Sequence, residues 1–243
     1  MNNKLWELCK ELKNDCEFVE LSHEVSPDTP HWSGFEDMEN ATLFDYPDGF
    51  YVNRFSIVSQ YGTHVDAPGH FVKGNRMLNE IEAKELILPL CVVDVSDKVA
   101  KNVDYCVTSA DIIEWEEKYG KVPEESFVAL RTDWYKRGHD LDNCDANGMK
   151  HFPGWTVDAI EYLVKKRNVT AIGHETSDTD PPVITEKEGY VGETYILAQQ
   201  RYQIELLKNL DKVPPVGALI VSGFPRVVDG SGFTARCYAI CPK

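Results

Sequence analysis

Apolar and polar positions along this chain alternate in blocks rather than in one continuous period. Residues 88–95, Leu-Pro-Leu-Cys-Val-Val-Asp-Val, are almost uninterruptedly apolar, the pattern of a strand covered on both faces. Phe127-Val128-Ala129-Leu130-Arg131 repeats the pattern, and between the two runs Thr108-Ser109-Ala110-Asp111 offers cap residues for a helix that carries Ile112, Ile113, Trp115 and Glu116 and ends near Gly120. Strand, helix and strand at this spacing predict an α/β fold. The same reading expects an opening amphipathic helix over 5–12, with Leu5, Leu8, Cys9 and Leu12 on one face, a short helix over 80–86, and longer helices over 157–166 and 192–202. Further strands are expected over 18–22, 53–59, 168–173, 217–222 and 233–240, whereas 41–51 reads as an aromatic-rich loop and 135–151 as an irregular polar loop over a pocket.

One short stretch carries chemistry. From Gln60 to His70 the chain gathers two histidines, a carboxylate and a carboxamide, punctuated by Gly62, Pro68 and Gly69. In an extended strand residues i and i+2 face the same way, so His64 and Asp66 can aim a nitrogen and an oxygen at one point. These are ordinary ligands of a divalent transition ion. Gln60 would lie roughly 13 Å from His64 in a straight strand, so a shared ion requires a bend, and Gly62 tolerates one. Pro68-Gly69 predicts a second turn that returns His70 over the pair. A plain His64–Asp66 hydrogen bond in a polar turn is the simpler alternative; the concentration of turn residues and the second histidine favours a metal site.

The stretch resembles the signature of the cyclase family, which includes bacterial metal-dependent kynurenine formamidases and isatin hydrolases. Gly62, Thr63, His64, Asp66, Pro68, His70 and Phe71 match it, and Gln60 stands where the family has its first metal-binding histidine. The resemblance extends over nearly the whole chain. It implies a single α/β domain over 1–243 with a mixed central sheet and flanking helices, of the swivelling β/β/α kind. It also implies that Trp32, in the proline-rich segment 27–35, contacts substrate, that Glu205 binds metal, and that Glu175, in Gly173-His174-Glu175-Thr176, lies at the pocket wall behind the metal ligands. Trp32 packing its own loop, and Glu175 capping a polar loop, are the structural alternatives. Twelve residues before Glu205 the family has a histidine for a second metal, and this chain has Glu193. One ion is therefore expected rather than two, Zn or Mn, held by Gln60, His64, Asp66 and Glu205. The oxygen donor of Gln60 makes Mn and Mg more competitive with Zn.

Charge and composition narrow the partners. The 243 residues are 42% hydrophobic, enough for a substantial core, and carry a net charge of -15, which disfavours nucleic acid and anionic membranes as partners. Seven cysteines without C-x-x-C spacing read as reduced thiols of a cytoplasmic protein. Neither a signal sequence at Met1-Asn2-Asn3 nor an apolar run of membrane-helix length is apparent. His139 and His151 are expected to be solvated loop residues. The family suggests a homodimer or higher homo-oligomer. Together these readings point to a metal-dependent hydrolase of a carbon–nitrogen amide bond, with a small aromatic amide as substrate and His70 carrying the proton to the leaving nitrogen. An aryl formamide of the N-formylkynurenine kind, from tryptophan catabolism, is the first expectation. Ring opening of an isatin-like lactam is the second. A metal- or small-molecule-binding protein without catalysis, motivated by Gln60 and Glu193, is the third.

Overall fold

The computed structural model describes residues 3–243; Met1 and Asn2, part of the segment in which no signal sequence is expected, lie outside the described residues. Thirteen strands form: β1 (Cys16–Glu20), β2 (Glu39–Phe44), β3 (Val52–Ser56), β4 (His64–Asp66), β5 (Ile87–Asp94), β6 (Cys106–Val107), β7 (Phe127–Arg131), β8 (Gly154–Trp155), β9 (Ala171–His174), β10 (Tyr202–Glu205), β11 (Ala218–Gly223), β12 (Gly232–Thr234) and β13 (Arg236–Pro242). Nine of them make one mixed sheet in the order β1-β13-β11-β5-β7-β9-β10-β4-β12. The central strands β5, β7, β9 and β10 are parallel, and the flanking pairs are antiparallel. This is the α/β architecture that the apolar runs predict.

Side chains alternate across that sheet, and each face buries its own core. Leu88, Leu90, Val92, Phe127, Ala129, Ala171, Tyr202 and Ile204 enter one apolar cluster together with Val65, Ile220 and Cys237. Their neighbours Cys91, Val93, Val128, Leu130 and Ile172 enter the other, beneath helices α3 (Ser109–Tyr119), α4 (Val157–Arg167) and α6 (Val191–Ala198); α2 (Ser96–Val99) and α5 (Pro182–Glu188) are short. Burial on both faces is why these strands read as continuous rather than alternating. The first cluster draws on strands from both ends of the order, because the sheet curls. Only Ala235 separates β12 from β13, yet β12 pairs with β4 at one end and β13 with β1 and β11 at the other. The expected single strand over 233–240 is thus two strands, broken where the chain crosses from one end of the sheet to the other.

Three other expectations change. The strand expected over 53–59 does not run into the metal motif: β3 ends at Ser56 and pairs only with β2, in a hairpin that converts the expected aromatic loop 41–51 into strand and turn. The motif lies on the separate strand β4, reached through Gly62 in a left-handed conformation at φ +63°. A Cβ there would also sit 2.7 Å from Thr29, so the expected bend demands glycine twice over. The helix expected over 192–202 stops at Ala198, and Tyr202 opens β10. Finally, the opening helix α1 (Lys4–Asp15) forms but buries none of its residues; Leu5, Trp6 and Leu8 are exposed, as are Phe44, Phe50, Tyr51 and Phe55 of the hairpin segment.

Candidate metal centre

Strand register builds the site. Antiparallel pairing sets Glu205 opposite His64 and Gln203 opposite Asp66. Val65 and Ile204 lie in the first core, so the residues on either side of each point to the opposite face together. His64 Nε2 lies 3.5 Å from Asp66 Oδ2 and 3.4 Å from Glu205 Oε2, and all three side chains are almost wholly buried. One ligand atom from each falls within 4.8 Å of the others.

The electrostatics of this cluster call for a cation. His64 Nδ1 lies 2.8 Å from the Gly62 carbonyl, which can only accept, so Nδ1 carries the hydrogen and Nε2 is left to face the two carboxylates. Burial by itself disfavours the His64 imidazolium, but Asp66 and then Glu205 outweigh it and raise its pKa well above the ordinary value. Nearby, burial followed by the charge of Glu205 pushes the carboxyls of Glu193 and Asp178 well above the usual range. Among the residues lining the adjoining cavity there is no lysine or arginine to offset these acids. Asp66 Oδ1 is buried without a hydrogen-bond partner. An imidazole nitrogen that an ion can take in place of a proton, two carboxylates and an orphaned oxygen fit a divalent ion, and they suit Zn and Mn alike.

The surrounding polar groups were only partly visible in the sequence. Gln203, fully buried, donates from Nε2 to Glu193 at 2.9 Å, Glu205 at 3.0 Å and Asp66 at 3.2 Å, and its Oε1 accepts from Thr179 at 2.6 Å. Two hydrogens thus serve three carboxylates. Its period-two relation to Glu205 was the available signal, and it becomes readable only once residues 202–205 are known to be a strand. His174 lies with Nε2 3.3 Å from Glu205 Oε1. Its neighbour Glu175 points the other way: Glu175 Oε2 accepts from the Thr132 amide and hydroxyl, both at 2.9 Å, and from the Trp134 amide at 3.1 Å. His174 therefore backs the cluster from this strand end, and Glu175 anchors the turn at 132–134.

Gln60 and His70 meet at the edge of the cluster. Gln60 Nε2 lies 3.3 Å from His70 Nδ1, and Ser59 Oγ donates to Gln60 Oε1. The Pro68-Gly69 turn does return His70, whose Nε2 comes within 3.8 Å of Asp66 Oδ1 and whose side chain stays partly exposed. Above them opens a cavity of about 340 Å³, walled by Trp32, Phe35, Phe71 and Tyr190 and floored by His64, Asp66, Glu193 and Glu205. Trp32 meets Phe35 edge-on at 4.9 Å, and Phe71 meets Tyr190 at 5.7 Å. A Cβ at Gly34 would fall 1.8 Å from the indole, so glycine there lets Trp32 fold back over its loop. Phe35 and Tyr190 escaped the sequence reading because isolated aromatics carry no positional signal. Neither His139 nor His151 lines this cavity; His151 Nδ1 instead pairs with Asp104 at 2.8 Å.

Known proteins share this fold. A family model described as "Putative cyclase" matches residues 19–181. The isatin hydrolase of Roseibium aggregatum is 29% identical over 252 residues, spanning 96% of this chain and 95% of its own. The structure of isatin hydrolase A from Labrenzia aggregata bound to benzyl benzoate aligns with a TM-score of 0.91 at 29% identity, over 99% of this chain and 100% of that one. Isatin hydrolase A from Ralstonia solanacearum aligns with a TM-score of 0.88 at 31% identity, over 98% and 97%. The matched segment carries Trp32, Gln60, His64, Asp66 and His70, and by that match the chain belongs to the cyclase family.

Proposed function

We propose that this protein is a divalent-metal-dependent hydrolase that opens the ring of an aromatic lactam of the isatin class. The observation that carries the reading is the junction of a buried His64–Asp66–Glu205 donor set with a cavity of about 340 Å³ walled by four aromatic rings. That size and lining suit a flat, fused-ring amide. The relatives reported above are isatin hydrolases, so the lactam takes precedence over the aryl formamide expected first from the sequence.

His64, Asp66 and Glu205 would hold the ion, which when bound supplies Lewis-acid polarisation of the amide carbonyl and lowers the pKa of water. The remaining work falls to the chain's own groups. Trp32 and Phe71 sandwich the ring and exclude water from its faces. Water adds to the carbonyl carbon, the carbon–nitrogen bond breaks, one of the water's protons ends on nitrogen and the other leaves the new carboxyl for solvent, so that a carboxylate and an aryl amine remain on one molecule. His70, beside the donor set but outside it, takes the proton from water and returns it to nitrogen.

The test is turnover of isatin, an N-formyl aromatic amine and an aryl ester by protein of measured metal content. Isatin turned over with the highest kcat/KM is the expected result. A preference for the formamide would replace the lactam with the aryl formamidase reading, and bound metal without turnover of any of them would leave a binding protein.

A further inference from the structure

We propose that Lys150, held by Asp142, is a positioning residue for Trp32: it clamps the indole as a wall of the cavity before substrate arrives and so sets the affinity for an aromatic ring. The inference rests on the reading of Trp32 as a wall that stacks on substrate in the proposed hydrolase, and it adds the residues that hold the indole there. Trp32 lies on a loop with a closed base. His31 stacks on Tyr61 at 4.4 Å, the Met38 amide donates to Tyr61 Oη at 3.2 Å, and His31 Nε2 lies 3.6 Å from Asp37. Residues 32–36 bulge from that base and carry Trp32 and Phe35 to the cavity. The indole lies across Gly34, where a Cβ would fall 1.8 Å from Cζ3 and 2.1 Å from Cη2.

The holding groups come from the polar loop 138–151. Lys150 Nζ lies 5.7 Å from the centre of the Trp32 ring, within cation–π reach. The same ammonium lies 2.9 Å from Asp142 Oδ1 and donates to Ser33 Oγ at 3.4 Å, and Ser33 Oγ donates to Asp142 Oδ2 at 2.7 Å. One carboxylate thus grips the ammonium with one oxygen and the Trp32 loop with the other. The anchor is firm because the loop is closed at its neck. The His151 amide donates to the Asp142 carbonyl at 2.9 Å, Asn143 Nδ2 donates to the His151 carbonyl at 3.0 Å, and Leu141 and Phe152 on either side are buried in the second core. Trp134 Nε1 fixes the same neck by donating to the Leu141 carbonyl at 2.9 Å. Lys150 and Asp142 are 33% and 19% exposed, so the pair is screened less than one free in solvent. Such a clamp acts on binding rather than on chemistry. With Lys150 present the indole is ordered before substrate enters; without it, binding must order the indole, and that cost falls on KM. Once the substrate ring is seated the ring itself holds the indole, and kcat keeps its wild-type value.

The test uses full-length protein loaded with diamagnetic Zn, labelled with 5-fluorotryptophan, and compared as wild type, Lys150→Met, Lys150→Arg and Asp142→Asn, with Trp32→Phe to assign the Trp32 resonance. ¹⁹F spectra report the surroundings of each indole directly. The Trp32 resonance is expected to shift and broaden in Lys150→Met and in Asp142→Asn, while those of Trp115 and Trp155, buried in the second core, stay in place. Asp142→Asn is nearly isosteric, which keeps the test alive if Lys150→Met fails to fold. With isatin as substrate, KM should rise roughly 3- to 10-fold in Lys150→Met, the size of a partly exposed cation–π contact together with its salt bridge, while kcat is unchanged. Lys150→Arg keeps a cation over the ring and should restore both the resonance and KM. A Trp32 resonance unmoved in both Lys150→Met and Asp142→Asn overturns the proposal, and so does a moved resonance with wild-type KM. The spectrum does not depend on substrate identity: a protein inactive on isatin that shows the expected shifts refutes the proposed function and keeps the clamp, whereas isatin turnover with an unmoved resonance keeps the function and refutes the clamp.

Discussion

Glu175→Gln replaces a titrating proton in the interior with a permanent hydrogen and leaves the side chain's size unchanged. Glu175 is fully buried, and burial raises its pKa from 4.5 to about 7, although the amides of Thr132 and Trp134 and the Thr132 hydroxyl hydrogen-bond to it. Below pH ~4.5 the carboxyl is protonated in both the folded and the unfolded chain. Between ~4.5 and ~7 the unfolded chain releases its proton while the folded one retains it, so stability declines as pH rises through this window. Above it the loss is complete. At ~1.4 kcal/mol per pH unit, displacement from 4.5 to about 7 corresponds to about 3 kcal/mol. The variant keeps an oxygen for the three donors and lacks the titration, and its NH₂, set where Glu175 Oε1 has no partner, costs a roughly constant amount at every pH. Urea unfolding followed by tryptophan fluorescence from pH 4.5 to 8 isolates the effect. The unfolding free energy of wild type minus that of the variant should fall by about 3 kcal/mol across the range. Parallel curves would mean that Glu175 titrates normally and that its burial does not disfavour its charge.

The donor set makes a second prediction: His64→Ala and Asp66→Ala should lose stoichiometric metal in elemental analysis, whereas His70→Ala should keep it and lose most turnover. Removing the ion with a chelator should lower Tm and re-addition restore it, because an ion held only by the folded arrangement of His64, Asp66 and Glu205 adds its binding free energy to the stability of the fold; an unchanged Tm would count against the centre. A homo-oligomer that buries the exposed aromatic hairpin is a further prediction: light scattering should give at least a dimer, and Phe44→Ser with Phe55→Ser should shift it toward monomer, whereas a monomeric wild type would refute it.

Much of the site was legible because its logic is local. His64 and Asp66 follow from the two-residue period of a strand, the bend at Gly62 from the span to Gln60, and the return of His70 from Pro68-Gly69. The parallel strands β5 and β7 declared themselves through unbroken apolar runs, and α3 through the Thr108–Asp111 capping pair. Other elements were misread for the same reason, since local pattern does not say what a strand pairs with. Residues 53–56 have strand character whether they deliver the motif or form a separate hairpin, and 233–240 alternates suitably whether it is one strand or two.

By itself the sequence determined the α/β class, the candidate ligand pair His64 and Asp66, and the family, because periodicity, turn chemistry and motif spacing are properties of short stretches. Tertiary structure alone decided that Gln203 binds three carboxylates, that His174 rather than Glu175 backs Glu205, and that Gln60 turns its amide toward His70. Those choices depend on cross-strand register and on the curl that brings β12 beside β4. Gln60–Ser231, His174–Glu205 and Gln203–Asp66 join residues 171, 31 and 137 positions apart, and no pattern within either stretch encodes which partner the other will meet.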